Sequence, residues 1–153
     1  MAHYQLYKEQ FLETDIDTIW DFVSSPVNLK EITPDYMLFD ITSKNLADKM
    51  YPGMIISYKV SPLLNIKMNW VTEITQVRDK HFFIDEQRLG PYKMWHHQHF
   101  FEEKNGGVLM TDIVTYIPPL GILGDIANLI IIKKQLKGIF DYRFKVMDKK
   151  FNQ

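Results

Sequence analysis

The chain has 153 residues, enough for one domain that buries roughly two thirds of its unfolded surface. Hydrophobic residues make up 46% and charged residues 24%, which excludes disorder, and the 10 Phe, 8 Tyr, 3 Trp and 8 Met suit a large core or a cavity with adaptable apolar walls. A net charge of −1 argues against nucleic acid as a partner, and the absence of cysteine excludes a disulfide scaffold, a thiolate nucleophile and Cys-ligated metal centres.

In chain order, Tyr4 to Glu13 alternates as a strand, with Tyr4, Leu6 and Leu12 on one face and Tyr7 and Phe11 on the other. Thr14 or Asp15 then caps a helix through Val23, on which Ile16, Ile19, Trp20 and Val23 recur at helical spacing. Pro26 opens a second short helix ending near Ile32, before Thr33-Pro34. Tyr36 to Thr42 reads as a strand and Asn45 to Gly53 as a loop. Five strands follow, over Met54 to Val60, Ile66 to Val77, His81 to Arg88, Tyr92 to Glu102 and Val108 to Ile117, and Lys104-Asn105-Gly106-Gly107 forms a hairpin turn between the last two. Pro118-Pro119 ends the sheet. Beyond it, Leu129, Ile132, Leu136, Phe140, Phe144, Met147 and Phe151 make one apolar stripe opposite Lys133, Lys134, Lys137, Asp141 and Lys145, the mark of a long amphipathic helix. No composition shift, linker or repeat divides the chain, so residues 1–153 read as a single domain. There is no basic start followed by an apolar run and no membrane-length apolar segment, so a cytoplasmic protein is expected.

Strands joined by short turns make an antiparallel meander, and helices packed on one face of it make an α+β fold. The element order, strand, two short helices, six strands and a long C-terminal helix, resembles the START-like helix-grip (SRPBCC) superfamily over essentially the whole chain. The string Phe83-Ile84-Asp85-Glu86-Gln87, Gly90-Pro91-Tyr92, Trp95-x-His97-x-His99-x-Phe101-Glu102, Gly106-Gly107, Thr111-Asp112 and Pro118-Pro119-Leu120-Gly121 is similar to a bacterial ligand-binding branch, some of it described as cell-division-inhibitor-like. The resemblance implies a seven-stranded curved antiparallel sheet wrapped around the C-terminal helix, with an apolar cavity between them. It implies no particular reaction, because the superfamily spans lipid carriers, hormone receptors and polyketide aromatase/cyclases.

Alternation on a strand puts Trp95, His97, His99 and Phe101 on one face. If Lys104 to Gly107 centre the hairpin, Phe101 faces Val108, His99 faces Met110, His97 faces Asp112 and Trp95 faces Val114. If Gly90-Pro91 centre the preceding turn, Asp85 faces Trp95 and Phe83 faces His97. The apolar members of this set mark the inner face, which brings His97, His99, Asp112, Asp85 and Gln87 inward and leaves His96 outward. Three readings follow. The polar residues form a structural or ligand-orienting network; His97 and Asp112 form a general acid–base pair; or His97, His99 and Asp112 hold a metal. The first is the simplest, and no metal or other cofactor is assigned. No nucleophile motif or phosphate loop is present.

The expected function is therefore binding or transport of an apolar or amphipathic small molecule (lipid, polyketide or isoprenoid-like). Its walls would be Trp70, Phe83, Trp95, Phe101, Met110, Val114, Leu136 and Phe140, and its polar contacts Asp85, His97, His99 and Asp112. The alternative is an aromatase/cyclase- or dehydratase-type enzyme using His97 as base and Asp112 to orient it. Leu120, Gly121, Ile122, Leu123 and Gly124 open a segment with more apolar residues than one helix stripe needs. It reads as core over the sheet edge, as a glycine-hinged lid, or as a patch through which residues 120–132 touch a membrane, given Lys133 and Lys134 behind it.

Overall fold

The computed structural model describes residues 2–61 and 66–152. Strand β1 (Tyr4–Leu12) leads into α1 (Ile16–Val23), whose N-cap Asp15 accepts from the Thr18 backbone N–H. Tight 3-10 turns follow at Pro26–Lys30 and Asp35–Met37. Then come β2 (Asp40–Ile41), β3 (Met54–Val60), β4 (Met68–Arg78), β5 (Phe82–Leu89), β6 (Met94–Lys104) and β7 (Gly107–Ile117). A short helix α2 (Ile122–Ala127) runs through a π-helical turn at Asn128–Ile132 into α3 (Lys133–Phe151). The seven strands form one antiparallel sheet in the order β1-β7-β6-β5-β4-β3-β2. The N-terminal strand thus closes against the last one.

The strand expected over Tyr36 to Thr42 is reduced to two residues, Asp40 and Ile41, paired with Lys59 and Tyr58. Pro34 starts a tight turn and Leu38 ends it in the left-handed conformation, φ 48°, which breaks an extended run. The Met37 carbonyl instead accepts from the Ser61 N–H at 2.7 Å, tying the turn to the end of β3.

Both expected registers move by two residues. Asn105 and Gly106 carry φ of 52° and 81°, so they alone form the turn and Lys104 pairs with Gly107. Phe101 therefore faces Met110, His99 faces Asp112, His97 faces Val114 and Trp95 faces Tyr116. Before β6 the connection is wider than a two-residue turn. The Gln87 side chain accepts from the Tyr92 N–H at 3.1 Å and donates to the Tyr92 carbonyl at 2.6 Å, bracing it. Asp85 consequently faces His97, and Phe83 faces His99. A two-residue move preserves the face, because strand side chains alternate with period two. The inner face is the expected one: Trp95, His97, His99, Phe101, Met110, Asp112 and Val114 are all buried.

The stripe on α3 differs from the expected one. Leu136, Phe140, Arg143 and Met147 face the sheet, whereas Phe144 is exposed, as is Leu129 in the preceding turn. From Phe140 a step of three lands on Arg143 and a step of four on Phe144, and the sheet accepts the former because buried carboxylates await it there. The core accordingly divides in two. One cluster packs Met147 with Leu12, Ile19, Trp20, Phe101, Val108 and Met110, and the other packs Leu136 and Phe140 with Trp70, Trp95, Val114 and Tyr116.

Candidate functional site

Between the two clusters lies a polar layer. Alternation along β6 sets His97 and His99 between Trp95 of one cluster and Phe101 of the other. The same alternation sets Asp112 between Val114 and Met110 on β7, while α3 places Arg143 between Phe140 and Met147. Asp85 of β5 completes it.

The five side chains form one network. The His97 Nε2–H donates to Asp112 Oδ1 at 3.0 Å, and His97 Nδ1 lies 3.5 Å from Asp85 Oδ2. His99 Nε2 lies 2.8 Å from Asp85 Oδ2, and its Nδ1 lies 2.9 Å from Asp112 Oδ1 and 3.4 Å from Arg143 Nη2. Arg143 Nη1 stands 3.7 Å from Asp112 Oδ1. The imidazole rings lie with centroids 3.6 Å apart and planes tilted by 38°, and Phe83 stacks on His99 at 4.0 Å.

Burial sets the charges. It pushes the His97 imidazolium down to about 4; the adjacent His99 adds to this, and the two carboxylates oppose it. Burial by itself would raise the Asp112 carboxyl, but Arg143 and the two histidines outweigh it and hold Asp112 well below the usual carboxylate range. Asp85 is lowered in the same way, with burial opposed by His97, His99 and Arg143. Two carboxylates then share the layer with one guanidinium.

Beside this layer, between the sheet and α3, is a pocket of about 140 Å³. Trp70, Asp85, Trp95, Leu136 and Phe140 of the expected set line it, joined by Met37, Tyr58, Tyr92 and Ile139, which sequence reasoning missed. Tyr58 shares a strand face with buried Met54 and Ile56, Tyr92 comes from the loop before β6, and burial pushes both phenols well above their usual value. A smaller pocket of about 60 Å³ touches Phe83, Asp85, His99 and Arg143. Met110, Asp112 and Phe140 border a cleft between β1 and α3. His97, Phe101 and Val114 are buried and border none of these pockets. Asp85 and Tyr58 are thus the polar residues that line both pockets, whereas the free nitrogen of His97 faces Asp85 rather than open space. Arg143 was also missed. Its signal was a charged residue in phase with Leu136, Phe140 and Met147.

The segment that follows the sheet is exposed rather than packed as core. Leu120 and Ile122 are each 78% exposed and Leu129 is 74% exposed, with Leu123, Ile126 and Ile130 also on the surface. Gly121 takes φ 54° and Gly124 is buried, where an added Cβ would meet the Pro119 carbonyl oxygen. None of these residues borders the 140 Å³ pocket. His96 points away from the layer and pairs with Glu86 at 2.9 Å, so the three histidines of β6 do not form one cluster.

No family model and no curated protein matches the chain. Solved structures do. Protein CV1439 from Chromobacterium violaceum superposes with a TM-score of 0.70 at 10% identity, covering 94% of each chain. Ara h 8.0201 gives 0.58 at 13% identity, over 95% of this chain and 98% of that one. The fold is a helix grip. A helix-grip region also lies within a larger protein, the nucleoside-diphosphate sugar epimerase from Corynebacterium glutamicum, with a TM-score of 0.64 at 20% identity over 94% of this chain but 28% of that one. At these identities the likeness is one of fold. Among the described residues of this helix grip, no helix is long and apolar enough to cross a membrane.

Proposed function

We propose that this helix-grip protein binds a compact, ring-sized apolar molecule bearing a hydrogen-bond acceptor. The observation that carries the reading is the 140 Å³ pocket and its wall of Trp70, Tyr92, Trp95, Leu136 and Phe140. Its size is near the ~150 Å³ that admits benzene and below the ~300–1,000 Å³ of sites for drug-sized ligands. Trp70 meets Trp95 edge-on at 5.4 Å and Tyr92 at 5.7 Å, so the wall is held by its own packing. The Trp70 Nε1–H is buried with no partner, which an acceptor on the ligand would satisfy. A long acyl chain would need α3 to lift from the sheet.

Acetophenone and cumene, similar in shape but with and without an acceptor, test this by tryptophan fluorescence and calorimetry. Acetophenone should bind saturably and more tightly than cumene, and Leu136→Trp, which fills the pocket, should abolish it. The absence of saturable binding of either compound to the wild-type protein would refute the reading.

The exposed apolar segment favours an anionic bilayer as the source of such a ligand. Leu120, Ile122, Leu123, Ile126, Leu129 and Ile130 face solvent, and exposed Lys133, Lys134 and Lys137 follow directly. Co-sedimentation with phosphatidylserine-containing vesicles should be lost in Ile122→Asp/Leu123→Asp and weakened by salt. Equal sedimentation of the double variant would overturn it.

A further inference from the structure

We propose that Asp85, His97 and His99 form a binding site for a first-row divalent metal ion. The site goes beyond the small-molecule reading and does not depend on it. Three ligand atoms, Asp85 Oδ2 and one nitrogen of each histidine, lie within 4.8 Å of one another. His97 Nδ1 and His99 Nε2 are 3.5 Å and 2.8 Å from Asp85 Oδ2. Ligands bonded at ~2.0–2.1 Å stand ~2.9 Å apart on an octahedral ion and ~3.4 Å apart on a tetrahedral one, so these separations already match a shared metal. Two histidines and one carboxylate are the donor set of open-sided zinc and non-haem iron centres, not of calcium or magnesium.

What lies behind the donors strengthens the assignment. Each histidine presents its other ring nitrogen to the same oxygen, Asp112 Oδ1, at 3.0 Å from His97 Nε2 and 2.9 Å from His99 Nδ1. Metal-bound histidines are oriented in this way, each donating its remote N–H to a carboxylate while the near nitrogen keeps a lone pair for the ion. Arg143 holds that carboxylate from α3, with Nη1 at 3.7 Å. Without an ion, His99 can donate Nε2–H to Asp85 at 2.8 Å while its Nδ1 accepts from Arg143 Nη2 at 3.4 Å; moving that proton to Nδ1, where Asp112 accepts it, would aim both histidine lone pairs at Asp85 and let a cation join the three atoms. The charges agree: Asp85 and Asp112 contribute two negative charges and Arg143 one positive. Asp85 also borders both the 140 Å³ and 60 Å³ pockets, so an ion beside it would keep an open position toward them. An oxygen donor, from water or from a bound molecule, would complete the shell. The register creates this arrangement, since Asp85 opposite His97 and Asp112 opposite His99 place one carboxylate at each end of the histidine pair.

The test uses full-length protein stripped with a chelator and titrated with Co²⁺. The wild-type protein should saturate at about one equivalent and develop the visible bands of a four- or five-coordinate ion. Its proton NMR spectrum should show two hyperfine-shifted imidazole N–H signals that exchange slowly with solvent, because both bond to buried Asp112. His96→Gln should bind as wild type. His97→Gln and His99→Gln should lose about 100-fold or more in affinity, and Asp112→Asn about 10–100-fold. Failure of the wild-type protein to bind one equivalent would overturn the site. So would binding that His96→Gln removes, or shifted N–H signals that exchange rapidly, either of which marks an adventitious surface ion. The wild-type spectrum decides the matter even if a core variant fails to fold. Metal binding without uptake of acetophenone would uphold this site and refute the small-molecule reading.

Discussion

Replacing Arg143 by Met leaves the polar layer with two carboxylates and no fixed cation. Arg143 is 8% exposed, and its Nη1 is 3.7 Å from Asp112 Oδ1. At that separation an effective dielectric constant of about 20 gives an attraction of about 4–5 kcal/mol, in line with the ~3–5 kcal/mol lost when one member of a buried pair is removed. One effect opposes this: the buried Arg143 Nε has no partner, and losing it returns about 1 kcal/mol. The expected net loss is about 2–4 kcal/mol. With an unfolding entropy of about 2.1 cal/mol/K per residue, 153 residues give about 0.3 kcal/mol/K, so Tm should fall by about 6–13 °C. The assay is calorimetry of chelator-treated protein at pH 7, with Asp112→Asn and the double variant completing the cycle. The double variant should be at least ~1 kcal/mol more stable than the sum of the singles implies, because the stranded carboxylate is gone. A Tm within ~2 °C of wild type for Arg143→Met, or singles that add within ~0.5 kcal/mol, would refute the coupling.

Other outcomes test the fold around the site. Met147 is fully buried between the sheet and α1, and Met147→Ala should cost about 2–5 kcal/mol in urea unfolding, with no change in metal uptake. Gly106 holds φ 81° in the hairpin turn, so Gly106→Ala should destabilise by about 1 kcal/mol or more, whereas Lys104→Ala just outside it should be nearly neutral. Asp15 caps α1, and the Thr18 N–H and hydroxyl hold its carboxyl below the usual 3.8. A lowered pKa contributes stability that is present above pH 3.8 and is lost as pH falls through the folded value. The stability difference between wild type and Asp15→Asn should therefore be constant at neutral pH and shrink below about pH 4, and a difference that grows on acidification would contradict the cap.

Much of this protein was legible in the one-dimensional pattern. Period-two alternation identified β1, and β-rich runs bounded by turn residues identified β3 to β7. Alternation also placed Trp95, His97, His99, Phe101 and Asp112 on the inner face, because a strand side chain has only two directions to take. Thr14 or Asp15 marked the start of α1 because a short polar side chain can satisfy free backbone N–H groups there, and the structure selects Asp15. What the pattern left open was set by contacts between elements distant in sequence. Turn geometry, two residues at Asn105-Gly106 and a braced loop before β6, decided which carboxylate meets which histidine. A helix stripe allows steps of three or four, and only the carboxylate opposite α3 selects Arg143 over Phe144. Burial of Leu120 to Ile131 required a surface to cover them, and hydropathy does not say whether one is present. The separation of α3 from the sheet, which fixes the pocket at about 140 Å³, is a sum over side chains from four strands, the turns and loops beside them and a helix. No local rule contains that sum, so the pocket's size is a property of the tertiary structure alone.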